Sequence, residues 1–217
     1  MMSVNDVRHI QKLLLPLIDR TEEGNELERI SLNGEMLHLQ RLLCGHLYEA
    51  GSAFRAIDVT NPELANAVVR GEPEYESALQ TLREIYATDP PGAFHHTFLK
   101  EVRDQFGFHY QDAPIRTKLE SYIQQGTLDG TAIVAEYSGL SRYSIGDHIS
   151  TGLIQDLLNA EIHTMHVGFL EATEKTLKLA KALSIIVDLM LLPLLEKPNA
   201  LIRIEESTLR VPVGLSE

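Results

Sequence analysis

The chain has no tryptophan, one cysteine and few aromatic residues, 6% of 217. Each shortage excludes something. One thiol, Cys44, cannot close an internal disulfide or build a Cys-rich metal module. It sits in an apolar stretch and reads as a small buried hydrophobe. With 44% hydrophobic residues supplied mainly by Leu and Ile, the composition favours helices over a β-sandwich. Runs of basic residues are also missing. The formal charge is −12 and the pI about 5.2, so broad attraction to a phosphate backbone would need a local basic patch against the overall field. There is no signal-peptide core in MMSVNDVRHIQK. The longest apolar run, ALSIIVDLMLLPLL at 182–195, is too short for a bilayer and is broken by Asp188 and Pro193. A cytoplasmic protein without membrane contact is the expectation. Glycine-rich phosphate loops, Gly-x-Ser-x-Gly elbows and His-Glu-x-x-His motifs are absent, which leaves nucleotide-driven and zinc-protease chemistry without support.

What is present is helical periodicity. Residues 4–20 predict a helix bent or ended at Pro16. Leu32, Met36, Leu39, Leu43, Leu47, Ala50, Phe54 and Ile57 step by three and four along one face of a long helix. Thr60-Asn-Pro-Glu63 reads as a capping box for a short helix to Arg70. Residues 73–87 form another amphipathic helix, and DPPG at 89–92 breaks the chain. Phe94, Phe98, Val102 and Phe106 mark a helix that weakens at Gly107, and 115–126 a further one stopped by Gly126. TAIVAEY and LSRYSI predict a β-hairpin insertion at about 131–146. Asp147 or Ser150 then caps a helix of up to forty residues, or two joined end to end, with a seam through Leu158, Ile162, Met165, Phe169, Ala172, Leu183, Val187 and Met190. The expected architecture is mainly α. It is a single helical domain over 1–217, a bundle of about five or six helices with a small β-hairpin.

The stretch EVRDQFGFHYQD, 101–112, holds the most chemistry. On a regular α-helix, residues seven apart nearly superimpose, drifting by about 20°. His95, Val102 and His109 then form one stripe, and His96, Arg103 and Tyr110 the next. Val102 is apolar, so His95 and His109 belong to the buried side or its edge, and Arg103 to the polar shoulder. Arg103 and His109 are separated by an axial rise of about 9 Å. An imidazole can move a proton near neutral pH, and a guanidinium can hold a phosphate and stabilise developing charge. Together they could cleave RNA without metal through the ribose 2′-OH, supported by Asp104, Tyr110 and His96. The plainer reading has His109 packing a helix end and Arg103 paired with Asp104 or with a neighbouring helix.

RDQFGFH resembles the Arg-to-His motif of HEPN-type proteins, in which an Arg, usually followed by a polar residue, precedes a His by four to six positions. The resemblance implies an all-helical bundle, often a dimer, of which many members are RNases in toxin–antitoxin or other defence systems. It implies Arg103 as the phosphate-binding residue, His109 as the acid/base group and Asp104 as the polar residue after Arg. The family more often has Asn at that place, and its commonest spacing is one residue shorter. EVRDQFGFHY with GLSRYSIGDHI is also similar to a group of uncharacterised bacterial helical proteins. A homodimer would bring two motifs together and concentrate positive charge. Other functions open at this point are a non-catalytic interaction protein with a protein partner, and a metal-binding bundle. Glu35-x-x-His38 has the spacing of one half of a di-iron site, without a second copy. His163 and His166 lie one turn apart and could bind zinc with a remote ligand. The expected cofactor is none. The hairpin's Arg142, Tyr143, Asp147 and His148 read as a solvated turn, and Glu22, Glu23, Glu26 and Glu28 as a solvated face.

Overall fold

The computed structural model describes residues 2–20, 26–60, 73–86, 94–107, 111–128, 130, 132–133, 142–158 and 165–195. They form seven helices. We label them α1 (Met2–Asp19), α2 (Glu26–Thr60), α3 (Pro73–Ile85), α4 (His95–Gly107), α5 (Asp112–Gln125), α6 (Ser144–Leu157) and α7 (Met165–Leu195). The mainly helical expectation holds. Among the described residues, strand is limited to two short pieces, Ala132–Ile133 and Arg142–Tyr143, paired antiparallel with Ala132 opposite Tyr143. Residues 134–141, the middle of the expected hairpin, lie outside the described residues. So does the short helix expected at 61–70.

The central helix is α2, which touches α1, α4, α6 and α7. Its expected seam is buried at Leu39, Leu43, Leu47, Ala50 and Phe54, and partly buried at Leu32, Met36 and Ile57. The seam also includes Leu37, Gln40 and Cys44. A helix this buried needs a wider apolar arc than one stripe. Cys44 is fully buried, and burial pushes its thiol above the usual range. Against α2, α1 buries Val4, Val7, Ile10, Leu14 and Leu17 and continues through Pro16 to Asp19. Arg8 ties α1 to α7, donating to the Ser184 carbonyl at 3.2 Å and to Asp188 at 2.5 Å. This accounts for the charge at Asp188, whose side chain is exposed within an otherwise apolar run.

The 144–195 region resolves into two helices, α6 and α7. α6 begins at Ser144, three residues before the expected cap at Asp147, and Ser150 is a buried internal residue. Ser150 accepts a hydrogen bond from Arg41 at 2.9 Å, so its hydroxyl serves packing between α2 and α6. On α7, Ala172 and Leu183 of the expected seam are buried, together with Thr176, Leu179, Ala180 and Ile186. The side chains of Met165 and Phe169 lie outside the described residues. Gln40 donates to Thr176 at 2.8 Å, and Thr176 donates to the Thr173 carbonyl at 2.8 Å, a polar tie inside the α2–α7 contact. α5 ends as its sequence predicts. Gly126 adopts φ 66°, its N–H reaches the Ile123 carbonyl, and the Thr127 N–H reaches that of Tyr122. This is a Schellman closure, which favours glycine. Among the described residues no helix is long and apolar enough to cross a membrane.

The core makes a simple prediction. Leu43→Ala removes a fully buried side chain at the centre of the bundle and is expected to cost about 2–5 kcal/mol in urea denaturation. Leu13→Ala on α1, where the side chain is 44% exposed, should stay within about 0.5 kcal/mol of the parent.

Candidate functional site

α4 is not the regular helix that its seven-residue stripes assume. It is π-helical over His95–Leu99, α-helical over Lys100–Val102 and π-helical again over Arg103–Gly107. The Lys100 N–H reaches back five residues to the His95 carbonyl. π-turns take up an extra residue and recur at functional sites. In a regular α-helix His95 and Arg103 would be offset by about 80°. Here both lie against one side chain of α2. Tyr48 stacks on His95 with centroids 4.7 Å apart and planes 9° from parallel. Its ring also carries the Arg103 guanidinium, 5.0 Å from the centroid.

His95 is completely buried. Tyr86, at the end of α3, meets it edge-on at 5.3 Å, and His96 does so at 4.7 Å. The Tyr86 hydroxyl donates to the Leu47 carbonyl at 2.6 Å, which fixes that ring against α2. Burial pushes the Tyr86 phenol above its usual range, with the Arg55 charge pulling the other way. These rings fit because residue 51 is glycine. A Cβ there would overlap the Tyr86 ring and stand 3.1 Å from His95 Nε2. Arg55 NH1 lies 3.4 Å from His95 Nδ1. A guanidinium can only donate, so Nδ1 accepts and the ring proton sits on Nε2. Nε2 has no hydrogen-bond partner among the described residues. Burial first, and then the Arg55 charge, lower the His95 pKa to about 4, while the Tyr48 backbone carbonyl opposes them. His95 is therefore a neutral, water-free group at neutral pH. Its role is to seat α4 on α2.

Arg103 is reached by solvent, with a side chain 24% exposed. One arm contacts Glu49 of α2 at 2.6 Å and the other Asp104 at 2.7 Å. Both expected partners, Asp104 and a neighbouring helix, are thus engaged. Its Nε is buried without a partner among the described residues. The Asp104 hydrogen bond, more than the Glu49 charge, holds the guanidinium more firmly protonated than usual. Burial alone would raise the Asp104 carboxyl, but hydrogen bonds from Arg103 and Lys100 outweigh it and hold it below its ordinary range. Lys100 reaches Asp104 at 3.3 Å and Glu101 at 3.6 Å.

Of the sequence-predicted site, Arg103, Asp104 and His96 are brought together around Tyr48 and His95. His109 and Tyr110 lie outside the described residues. So does His163, and so does the side chain of His166. Among the described residues no group of three or more His, Cys, Asp or Glu is placed to hold a metal ion. Glu35 and His38 are exposed, and His38 Nδ1 lies 3.5 Å from Arg41. The residues that sequence reasoning missed are Tyr48, Glu49, Gly51 and Arg55 of α2 and Tyr86 of α3. A usable signal existed. Tyr48, Ser52 and Arg55 recur at four and three residues beside the apolar seam, which places them on one shoulder of α2. Comparison with protein-family models, with curated proteins and with solved structures finds no match to this chain.

Two outcomes test this packing. Gly51→Ala would favour an isolated helix by about 1 kcal/mol. Here it should instead destabilise by about 1–3 kcal/mol, because Tyr86 is held and cannot yield. For His95, the unfolded ring protonates near its ordinary value of 6.5 and the folded ring near 4. The unfolded state therefore binds the proton first as pH falls. Stability contributed above pH 6.5 declines through that window, by on the order of 2–3 kcal/mol, and is gone below about pH 4. Denaturation midpoints from pH 7.5 to 4 should show this slope in the parent and a shallower one in His95→Gln.

Proposed function

We propose that this chain is a HEPN-like helical protein that cleaves RNA without metal, working as a homodimer in a bacterial defence or toxin–antitoxin setting. The observation that carries the reading is the mounting of Arg103. Its guanidinium lies over the Tyr48 ring, its Nε is buried, and its outer arms face a solvent-reached edge at the start of the π-turn that leads toward His109. A phosphate approaching that edge would exchange with Glu49, whose carboxylate is about half exposed. Bidentate guanidinium–phosphate pairing then positions the scissile group. His109 would take the proton from the 2′-OH and return one to the leaving oxygen. Asp104 keeps Arg103 in place, and His96 and Tyr110 would act in support.

A second reading is favoured by the same ion pairs. Two carboxylates already satisfy Arg103 in a chain of net charge −12, which suits a non-catalytic interaction protein that uses the arrangement only to join α2 to α4. The two readings part in one assay. The nuclease reading expects RNA cleavage in EDTA, falling by about 10²-fold or more in Arg103→Ala and in His109→Ala, with circular dichroism unchanged. Full activity in both variants would falsify the assigned roles. Absence of cleavage across RNAs of varied sequence would leave the interaction protein.

A further inference from the structure

We propose that Arg55, with Ser52 and His96, forms a second phosphate-binding site beside the Arg103 motif. The carboxylates nearest Arg55 on α2 are held by other arginines. Glu49, on the same helix, is held by Arg103. Asp58, one turn beyond Arg55, is held by Arg83 through two arms at 2.9 and 2.7 Å. Asp58, the acid spaced to pair with Arg55 along α2, is thus committed elsewhere. Arg8, Arg83 and Arg103 each bridge two helices and end on a carboxylate. Arg55 also bridges two helices, but it ends on a neutral ring, His95 Nδ1 at 3.4 Å, and on the Ser52 hydroxyl at 3.2 Å. Among the described residues no carboxylate pairs with it.

Such a guanidinium is held in place without losing its charge. It has five N–H donors in a planar fork that matches the oxygens of a phosphate. Ser52 is exposed and accepts from Arg55, so its own proton is free to donate. His96 is half-buried beside His95 and makes no hydrogen bond with a described residue, which leaves its ring N–H for the same ligand. The Arg55 guanidinium and the His96 ring both lie against the buried His95 imidazole, so basic groups gather in this region. In a chain with 31 acidic and 19 basic residues that region is local, and its ligand is an anion with several acceptor oxygens. Tyr48 and His95 link this site to Arg103, so one strand could reach both guanidiniums. The site deepens the nuclease reading, and rests on it only for the identity of the phosphate as part of RNA.

The test uses the full chain at constant ionic strength, titrated with inorganic phosphate while the histidine ring resonances are followed by NMR. A saturable shift of the His96 ring is expected. Arg55→Gln should weaken it by about tenfold or more, and Arg55→Lys by less. Ser52→Glu gives an independent variant at an exposed position. The new carboxylate lies one turn from Arg55 and should abolish the shift by pairing with it. Arg116→Gln, on exposed α5, should bind as the parent does. A second arm uses a 2′-O-methyl RNA oligonucleotide, which can bind but not be cleaved. Tighter binding than phosphate that is lost in Arg55→Gln assigns the site to RNA. Phosphate binding without oligonucleotide binding assigns it to a small phosphate ester. No saturable shift in the parent, or equal affinity in Arg55→Gln and Ser52→Glu, overturns the site. Loss of RNA cleavage with phosphate binding retained would remove the nuclease reading alone.

Discussion

The close approach of α4 to α2 at Gly51 is the contact on which the rest of the site depends. Only a residue without a side chain lets the Tyr86 ring and the His95 imidazole reach the backbone of α2 together. Tyr86 is then locked by its bond to the Leu47 carbonyl, and Tyr48 covers the other ring. The imidazole so enclosed is kept neutral, because an added charge would be both dry and close to Arg55. A neutral His95 accepts from Arg55 and holds that guanidinium against the protein. The packing of one glycine thus decides the protonation of one histidine and the position of one arginine.

The electrostatics follow from the same arrangement. The chain is strongly acidic, yet its charges around α2 are sorted. Glu49 goes to Arg103 and Asp58 to Arg83. What remains on the shoulder between them is cationic. Exposed ion pairs add little stability, about 0–1 kcal/mol each, so their main consequence here is spatial. They determine which guanidinium is neutralised and which stays open. Arg103 is paired with Glu49 and Asp104. Among the described residues Arg55 is paired with no carboxylate.

Much of the bundle was legible in the sequence. The three- and four-residue steps of α2 name its buried seam, Gly126 names the end of α5, and the apolar neighbour Val102 puts His95 on the buried side. The start of α6 was misplaced because Tyr143, the residue before it, carries no cap signal, whereas Asp147 and Ser150 do. The site was half legible. Arg103, Asp104 and His96 could be found because they are close in sequence. The spacing of Tyr48, Ser52 and Arg55 marks a shoulder of α2, but not what it meets, because these residues come from forty to sixty residues earlier and reach α4 only after α2 is packed.

What the sequence determined by itself is the set of amphipathic helices and the acidic surface, since both depend on local spacing and composition. It also offered two partners for Arg103, Asp104 or a neighbouring helix, without choosing between them. The tertiary structure alone decided the rest. It closed α4 with π-turns, which brought His95 and Arg103 onto one tyrosine although a regular helix would hold them apart. It also chose which carboxylate pairs with which guanidinium, a choice that distances of a few ångströms make and sequence separation does not.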